Sequence, residues 1–260
     1  GVPALHEQLC QTGATNESGH SAACAIMTTD TVSKEYAVSY QSADPAFEGC
    51  TFTVGGMAKG SGMIMPNMAT MISVLTTDAP VSPMLLHEAL REAVNVSFNK
   101  VTVDGDTSTN DTVTVMANGL AGNKLIDKEG EDYDIFRQAL YIVMMNMTRM
   151  LAADGEGASK LLECSVTGAP DQDTAIIIAK SVIRSPLLKC AMFGEDANWG
   201  RVLCAIGYAE AEFDIDKVDV DFESEFGKIA VCRDGSGVEF SEEIAAKILS
   251  AEEIHILVEL

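Results

Sequence analysis

The sequence has few basic residues. Lysine and arginine total 17 against 39 aspartate and glutamate residues, which gives a formal net charge of −22. Nucleic acids and anionic membranes both require a positive protein surface. We therefore expect neither as a partner. An anionic substrate would need a local lysine or the N-terminus of a helix to bind against the overall negative field.

Long apolar runs, cysteine pairs and a secretory signal are also lacking. No apolar run is long enough to span a bilayer, and no signal peptide precedes the first strand-like segment. The seven cysteines are odd in number, widely spaced and without a CxxC pair, and the four histidines show no metal-ligand spacing. This pattern is typical of free thiols in a reducing compartment. We therefore expect a cytoplasmic protein without a metal site.

What the sequence does contain is a mixture of helical and strand-like patterns. With 260 residues, of which 47% are apolar, the chain can bury a sizeable core. The patterns show no strict β-α-β alternation, so they predict α+β layers, a mixed α/β fold, rather than a doubly wound parallel sheet. Hydrophobic periodicity and capping residues predict helices over 83–98, 132–153, 173–185, 201–209 and 242–249, strands over 51–54, 100–103, 112–117, 161–167, 218–222 and 254–260, and a loop over 12–21.

Residues 59–71, KGSGMIMPNMATM, form the most informative stretch. If the Ala69–Thr70 bond were cut, Thr70 would become an N-terminal threonine that carries a hydroxyl nucleophile and an amine base. Such an amine has an intrinsic pKa near about 8, so it is partly neutral at physiological pH and can accept the hydroxyl proton. The pattern alone equally fits a structural threonine in a strand over 68–75.

Three further segments have both a structural and a functional interpretation. Lys59 lies in GGMAKG, which is not a P-loop, and is either a surface lysine in a glycine turn or a cation for a substrate carboxylate. Residues 103–112 lack the spacing of a calcium loop, and form either a solvated hairpin or polar groups aimed into a site. Glu156 stands between two glycines, which either cap the preceding helix or hold its carboxylate toward a ligand amine.

Four motifs together resemble the ornithine acetyltransferase family, also called glutamate N-acetyltransferase. They occur in the family's order and cover nearly the whole chain. Residues 194–201 by themselves would indicate only a turn that leads into a helix. The motifs are residues 25–31 (AIMTTDT), residues 55–71, residues 105–112 and residues 196–201 (DANWGR).

The resemblance implies a fold and an activity. Family members are precursors that cleave themselves before the threonine that corresponds to Thr70. Segments 1–69 and 70–260 would then be the α and β segments, which stay associated, commonly as α2β2. The implied fold is a layered sandwich of sheets and helices shared with self-processing aminopeptidases. The implied reaction transfers acetyl from N-acetylornithine to glutamate through an acetyl-threonine, in arginine biosynthesis. Some members also accept acetyl-CoA as donor, and no cofactor is implied.

The resemblance also assigns roles to residues. Thr70 matches the nucleophile, Ala69–Thr70 the cleaved bond, and Thr28, Lys59 and Glu156 the substrate-binding positions. The family's oxyanion-hole Thr-Gly pair and two C-terminal substrate contacts fall outside this sequence, so we expect weak or no activity from these 260 residues alone. Two other interpretations stay open: a self-processing amidase or aminopeptidase of related fold, and a non-catalytic amino-acid-binding protein in which Thr70 remains internal.

Overall fold

The chain folds into two compact units, one ending at Glu156 and the other beginning at Gly157. The computed structural model describes residues 15–65 and 71–260. Each unit has its own mixed sheet, packed helices and buried apolar cluster, so the predicted mixed α/β class is confirmed. In the described part of the chain, no helix is both long enough and apolar enough to cross a membrane.

The first unit contains a four-stranded sheet. Its strand order is β1-β2-β3-β4, in which β1, β2 and β3 pair antiparallel and β4 joins β3 in parallel. The segment between β3 and β4 contains a helix, as a parallel connection requires. The elements are α1 (Asn16–Ala25), β1 (Lys34–Gln41), β2 (Thr51–Lys59), β3 (Ile72–Thr77), α2 (Pro83–Val96), β4 (Thr112–Ala117) and α3 (Glu131–Ala153), with 3-10 turns at Pro45–Phe47 and Phe98–Lys100.

Helix α3 is the centre of the first unit's core. It packs across β1 and β2 on one side and against α2 on another. Side chains such as Phe136, Leu140 and Met144 are fully buried. Its first turn carries Glu131 and two aspartates, which favour the positive end of the helix dipole. The helix thereby fixes the positions of the strands whose ends carry the candidate site.

The second unit contains a five-stranded sheet in the order β5-β9-β6-β7-β8. β5 and β9 are parallel, and the other pairs are antiparallel. Side-chain oxygens of Asp171, Ser185, Asn198 and Ser241 cap its four helices. The elements are β5 (Leu161–Thr167), α4 (Gln172–Arg184), α5 (Pro186–Phe193), α6 (Trp199–Gly207), β6 (Asp219–Ser224), β7 (Gly227–Arg233), β8 (Ser236–Gly237), α7 (Glu242–Leu249) and β9 (Glu253–Glu259), with a 3-10 turn at Ile215–Lys217.

Two predictions about local structure are wrong, and one of two alternatives left open for residues 103–112 is excluded. Residues 100–103 are not a strand: a 3-10 turn at Phe98–Lys100 precedes them, and the N–H of Val103 donates to the carbonyl of Ile64 outside any ladder, at 2.6 Å. Residues 103–112 are not a hairpin either, because β4 pairs with β3 in parallel. The predicted loop over 12–21 is helical from Asn16, where Thr15 and Ser18 form a capping box. Residues 12–14 lie outside the described residues.

Candidate functional site

The turn that follows β2, residues 60–62, contains two glycines and depends on their lack of a side chain. β2 ends at Lys59, and Gly60 then adopts a φ of +146°, which side-chain-bearing residues rarely adopt. A Cβ on Gly60 would also come within 2.9 Å of the Ile64 side chain. The Cα of Met71 lies 3.8 Å from that Cβ position, so the start of β3 passes directly beside the turn. The turn thereby holds half-buried Lys59 at the end of its strand.

The carboxylate of Glu156 lies against this turn. A Cβ on Gly62 would come within 2.8 Å of the Glu156 carboxyl carbon and 2.9 Å of both carboxylate oxygens. The backbone N–H of Glu156 also donates to the carbonyl of Ser61 at 2.8 Å. Helix α3 ends before this point, at Ala153, with Asp154 as its C-cap. The exposed Glu156 carboxylate is therefore held over the backbone of Gly62 and remains open to a ligand.

The segment around Thr28 is tied to the same turn. Asp30 accepts hydrogen bonds from the backbone N–H of Thr28 at 3.2 Å and of Gly60 at 2.7 Å. The hydroxyls of Thr29 and Ser61 lie 2.6 Å apart. Thr28 and Glu156, 128 positions apart, are therefore tied by hydrogen bonds to the same turn, residues 60–62, which directly follows Lys59.

A buried ion cluster supports this network. Lys34 has no exposed surface, and its Nζ lies 2.6 Å from Asp30 Oδ1 and 2.5 Å from Asp154 Oδ2. Asp154 also accepts a hydrogen bond from the backbone N–H of Thr31 at 3.0 Å. Burial favours the neutral acids, but the bonds from Lys34 and from backbone N–H groups outweigh it, so the pKa values of Asp30 and Asp154 lie below their usual range. The sequence interpretation did not identify this cluster.

Residues 103–112 supply a second support. One carboxylate oxygen of Asp104 accepts a hydrogen bond from the N–H of Met63 at 2.5 Å, and the other accepts one from Ile64 at 3.1 Å. The Thr107 hydroxyl donates to the carbonyl of Met65 at 3.0 Å. Polar side chains of this segment therefore hold the backbone of residues 63–65, just beyond the glycine turn.

Asp111, in the same segment, has a different environment. Both of its carboxylate oxygens are buried, and neither makes a hydrogen bond of normal geometry with a described residue. Burial raises its pKa to about 6, although the backbone N–H of Met71 and the ammonium of Lys59 partly stabilise the charged form. The group lines a cavity of about 320 Å³ with Met71 and side chains of helix α2 that include His87, Leu90 and Arg91.

The predicted nucleophile, Thr70, and the predicted cleavage site, Ala69–Thr70, lie outside the described residues. The motif over 196–201 lies in the second unit and has a structural explanation. Asn198 caps helix α6 by accepting a hydrogen bond from the N–H of Arg201, whose guanidinium donates to the carbonyl of Leu187 at 2.7 Å. The prediction of a turn that leads into a helix is confirmed there.

One group of side chains in the second unit resembles a set of metal ligands. Glu163 and His255 face each other on the parallel strands β5 and β9, and the potential ligand atoms of Glu163, Glu253 and His255 all lie within 4.8 Å of one another. His255 Nε2 is 3.2 Å from a Glu253 oxygen, a polar contact between partly exposed side chains of β9. Acidic groups cluster in this way without an ion, so we assign no metal here.

The chain is similar to known proteins over its whole length. A family model described as the ArgJ family matches residues 1–260. The arginine biosynthesis bifunctional protein ArgJ of Caldanaerobacter subterraneus is 48% identical over 94% of this chain and 59% of its own length. ArgJ 1 of Clostridium acetobutylicum is 48% identical over 91% of this chain and 56% of its own length. The chain therefore spans less than two thirds of these relatives.

A solved structure gives the same result. The crystal structure of the arginine biosynthesis bifunctional protein ArgJ from Bacillus halodurans matches with a TM-score of 0.67 and 41% sequence identity. The match covers 71% of this chain and 85% of the crystallised chain. Together with the family model that covers all 260 residues, these similarities show that the chain belongs to the ArgJ family.

Proposed function

We propose that this chain forms the catalytic part of an acetyltransferase that moves acetyl from N-acetylornithine to glutamate in arginine biosynthesis. The observation that carries the proposal is the gathering of Thr28, Lys59 and Glu156 around one glycine turn in the first unit. That turn precedes Thr70 by only a few residues in the sequence. The names of the relatives, arginine biosynthesis bifunctional proteins, support the same pathway.

The charges of the site suit amino-acid substrates. N-acetylornithine and glutamate both carry an α-carboxylate, which the Lys59 ammonium can bind as a charge-assisted partner. Ornithine and glutamate also carry amines, and the exposed Glu156 carboxylate can accept hydrogen bonds from them. In the proposed mechanism the Thr70 hydroxyl attacks the acetyl carbonyl and its proton passes to the Thr70 amine. The protonated amine then gives a proton to the departing ornithine nitrogen as the amide bond breaks, which leaves an acetyl-threonine. The amine of glutamate attacks this ester, forms N-acetylglutamate and returns a proton to the Thr70 oxygen through the Thr70 amine.

We further propose that the chain cuts itself between Ala69 and Thr70 and that the two segments stay together. The pairing of β2 with β3 supports this, because β2 belongs to segment 1–69 and β3 to segment 70–260. Their antiparallel register runs from Lys59↔Ile72 to Val54↔Thr77. Backbone hydrogen bonds and a shared core would therefore hold the segments after the cut. An α2β2 assembly is the accompanying proposal.

Two further features complete the proposed function. Acetyl-CoA is a second donor to glutamate, which the word "bifunctional" in the relatives' names supports. The location is the cytoplasm, where the six cysteines of the described residues, all free, would stay reduced. Neither the cut nor the transfer requires a cofactor in this scheme, since nucleophile and base lie on one residue.

Cleavage and transfer are tested on the full-length protein. Wild type should give two pieces in an intact-mass spectrum, cut before Thr70, and should move labelled acetyl from N-acetylornithine to glutamate. The variant Thr70→Ala should remain one chain and lose transfer by at least about 10³-fold, because it lacks the nucleophile. Thr76→Ala, an exposed threonine on β3, is the matched control and should behave as wild type.

Three outcomes would contradict the proposal. Transfer that survives in Thr70→Ala would exclude the acetyl-threonine. Hydrolysis of the donor without transfer to glutamate would indicate an amidase or aminopeptidase. A wild type that remains uncut and binds amino acids without turnover would indicate a binding protein.

A further inference from the structure

A cysteine, a histidine and a glutamate meet on the surface of the first unit, where helix α1 packs against strand β1. Cys24 Sγ lies 3.6 Å from His20 Nε2, which is within hydrogen-bonding distance for the large sulfur atom. The other ring nitrogen, His20 Nδ1, lies 2.5 Å from Glu35 Oε1. We name these three side chains the thiol triad. They stand apart from the glycine turn and its supporting network, and the proposed function does not use them.

Local structure explains how the thiol triad is assembled. His20 and Cys24 are four residues apart in α1, and residues at this spacing are neighbours on a helix surface. Glu35 is the second residue of β1, and α1 packs against that strand. Helix spacing therefore sets the cysteine beside the histidine, and the packing of the helix on the sheet brings the carboxylate to the far side of the ring.

The carboxylate determines which ring nitrogen carries the proton. An ionised carboxylate can only accept hydrogen bonds, so Nδ1 of His20 donates to Glu35. In the neutral imidazole this leaves Nε2 without a hydrogen, and its lone pair faces the Cys24 thiol. A nucleophile, a base and a group that orients the base thus follow one another, which is the arrangement that activates thiols and hydroxyls for attack.

The geometry fits neither a metal site nor an acyl-transfer site. Metal ligands converge on one point, whereas Cys24 and Glu35 contact opposite nitrogens of the same ring. Acyl transfer requires donors for an oxyanion in a site that excludes water, whereas the His20 side chain is 58% exposed. Cys24 is exposed as well. A thiol placed in this way is open to direct reaction with a small molecule from solvent.

The other cysteines of the described residues differ from the triad cysteine in access or in partner. Burial raises the pKa of Cys164 to about 12 and also raises that of Cys232, so neither readily forms a thiolate. Cys50 is partly buried. Cys190 and Cys204 are exposed, but in the described part of the chain no hydrogen bond joins either of them to a histidine. They therefore serve as internal controls for exposure alone.

The surroundings of the thiol triad are acidic. Glu17 lies seven positions before Cys24 and so on the same face of α1, and Glu35 stands beyond the histidine ring. The last turn of α1 carries no basic residue, and the whole chain has a net charge of −22. A field of this sign attracts cations and repels anions. We therefore expect the thiol to react with small uncharged or cationic molecules rather than with anionic ones.

We propose that Cys24 is a modification site that undergoes thiol–disulfide exchange with small uncharged or cationic disulfides. His20 is the base that accepts the thiol proton, and Glu35 is a positioning residue for that base. The inference is independent of the proposed function, because it needs neither the cut nor acetyl transfer.

The exchange conserves atoms and electrons. The Cys24 sulfur attacks one sulfur of the disulfide as its proton moves to His20 Nε2. The original sulfur–sulfur bond breaks, and the departing thiolate takes the proton from the imidazolium to become a free thiol. Glu35 keeps its charge and stabilises the imidazolium between the two proton transfers. One disulfide is consumed and one mixed disulfide is formed, so no further oxidant is needed.

The test follows exchange on the full-length protein with cystamine, a small cationic disulfide. After timed exposure at neutral pH and acid quenching, mass spectrometry of the digested protein gives the rate at which each cysteine gains a cysteamine adduct. Cys24 should react at least about 10-fold faster than Cys190 and Cys204. The preference for cystamine over glutathione disulfide, which is anionic, should be at least about 3-fold greater at Cys24 than at Cys190.

Variants at exposed positions dismantle the triad without removing core contacts. His20→Gln should slow the reaction of Cys24 at least about 10-fold, because the base is lost. Glu35→Gln should slow it about 2- to 5-fold, because the amide oxygen still accepts the Nδ1–H hydrogen bond but carries no charge for the imidazolium. His255→Gln, in the second unit, is the matched control and should leave the rate unchanged. Thermal unfolding checks that each variant keeps the fold.

The outcomes decide between an activated thiol and a merely exposed one. A rate at Cys24 no higher than at Cys190 and Cys204 would overturn the proposal. A His20→Gln variant that keeps its melting temperature and reacts as fast as wild type would also overturn it. Losses in His20→Gln and in Glu35→Gln, with the larger loss in the former, would support the triad. An equal preference between the two disulfides at Cys24 and Cys190 would overturn the assigned class of disulfide.

Discussion

Lys34 is an ammonium group with no contact to solvent, between two carboxylates that have almost none. Removing three charges from water is expensive, and only short ion pairs and further hydrogen bonds from backbone N–H groups offset that cost. Those N–H groups belong to Thr28, Gly60 and Thr31, all beside the candidate site. The cluster therefore fixes the position of the site's backbone.

Lys34→Met should destabilise the protein strongly. The change leaves Asp30 and Asp154 as uncompensated buried charges, a loss that typically amounts to about 3–5 kcal/mol. Urea unfolding at neutral pH measures it. Lys217→Met is the control, because Lys217 and Asp214 form an exposed pair that contributes at most about 1 kcal/mol. Equal effects in the two variants would contradict the role of the buried cluster.

Because of the same cluster, we expect the free energy of unfolding to fall at acidic pH. The folded-state pKa values of Asp30 and Asp154 lie below the unfolded value near about 3.9. Their contribution is therefore complete above that value and is lost as pH falls through the folded-state values. In Lys34→Met the ammonium no longer offsets burial, so the pKa values of both carboxyls should rise and their contribution to this acid limb should be lost. Unfolding measured as a function of pH can follow this change.

At the scale of elements, the turn at residues 60–62 brings the end of β2 and the Glu156 carboxylate together within three residues. Gly60 allows the tight exit from β2, and Gly62 lets the Glu156 carboxylate approach the backbone. The two glycines thus act differently. The first is required by backbone conformation, and the second only by space.

Gly62→Ala should impair substrate binding more than stability. The new Cβ would clash with the Glu156 carboxylate, which lies at the flexible end of its side chain. The carboxylate can move aside, but it then leaves the position from which we propose that it binds the substrate amine. We expect KM to rise about 5- to 20-fold and unfolding free energy to change by less than about 1 kcal/mol. Gly207→Ala in helix α6, where a Cβ meets nothing, should leave KM unchanged. An unchanged KM in Gly62→Ala would contradict the role of Glu156.

Sequence patterns predicted the elements that have strong local signals. Helices α2, α3 and α4 have capping residues, an N-terminal proline or long apolar periodicity, and strand β4 begins with alternating Thr and Val residues. The sequence predicts these four elements, and strand β5, to within two residues at each end. Strand β1 was not predicted, since it begins with a buried lysine and alternates weakly. The first half of helix α1 was predicted as loop because Thr, Asn, Ser and Gly dominate residues 12–21, yet its capping box offsets their low helix propensity.

The site was partly predictable for the same reason. Lys59 and Glu156 stand beside glycines in short motifs, so local sequence singled them out. The Lys34 cluster could not be found in this way, because Asp154 is 120 positions from Lys34 and lysine is ordinarily exposed. Residues 196–201 are part of a family motif, but in the second unit their contacts are those of a helix cap.

At the scale of the whole molecule, the two compact units have separate cores. The second has its own sheet, four helices in its described residues and a cluster of fully buried side chains such as Phe222, Val220 and Ile254. A unit of this size with its own core meets the usual conditions for independent folding.

Residues 157–260 expressed alone should unfold in one cooperative transition. Thermal unfolding followed by circular dichroism would measure it. Phe222→Ala in the same fragment should lower stability by about 3–5 kcal/mol, because it removes a fully buried ring. A gradual, non-cooperative loss of signal in the unsubstituted fragment would show that its core is insufficient.

The antiparallel pairing of β2 with β3 determines how many chains take part in folding and unfolding once the protein is cut. Six register pairs join residues before the proposed cut to residues after it, and Leu75 shares a core with Phe52 and Val54. Before the cut, unfolding converts one molecule into one unfolded chain. After it, unfolding releases two chains, so stability depends on protein concentration and refolding requires an encounter between separate partners. Self-cleavage would thus turn a unimolecular folding problem into a bimolecular one, which favours folding first and cutting afterwards.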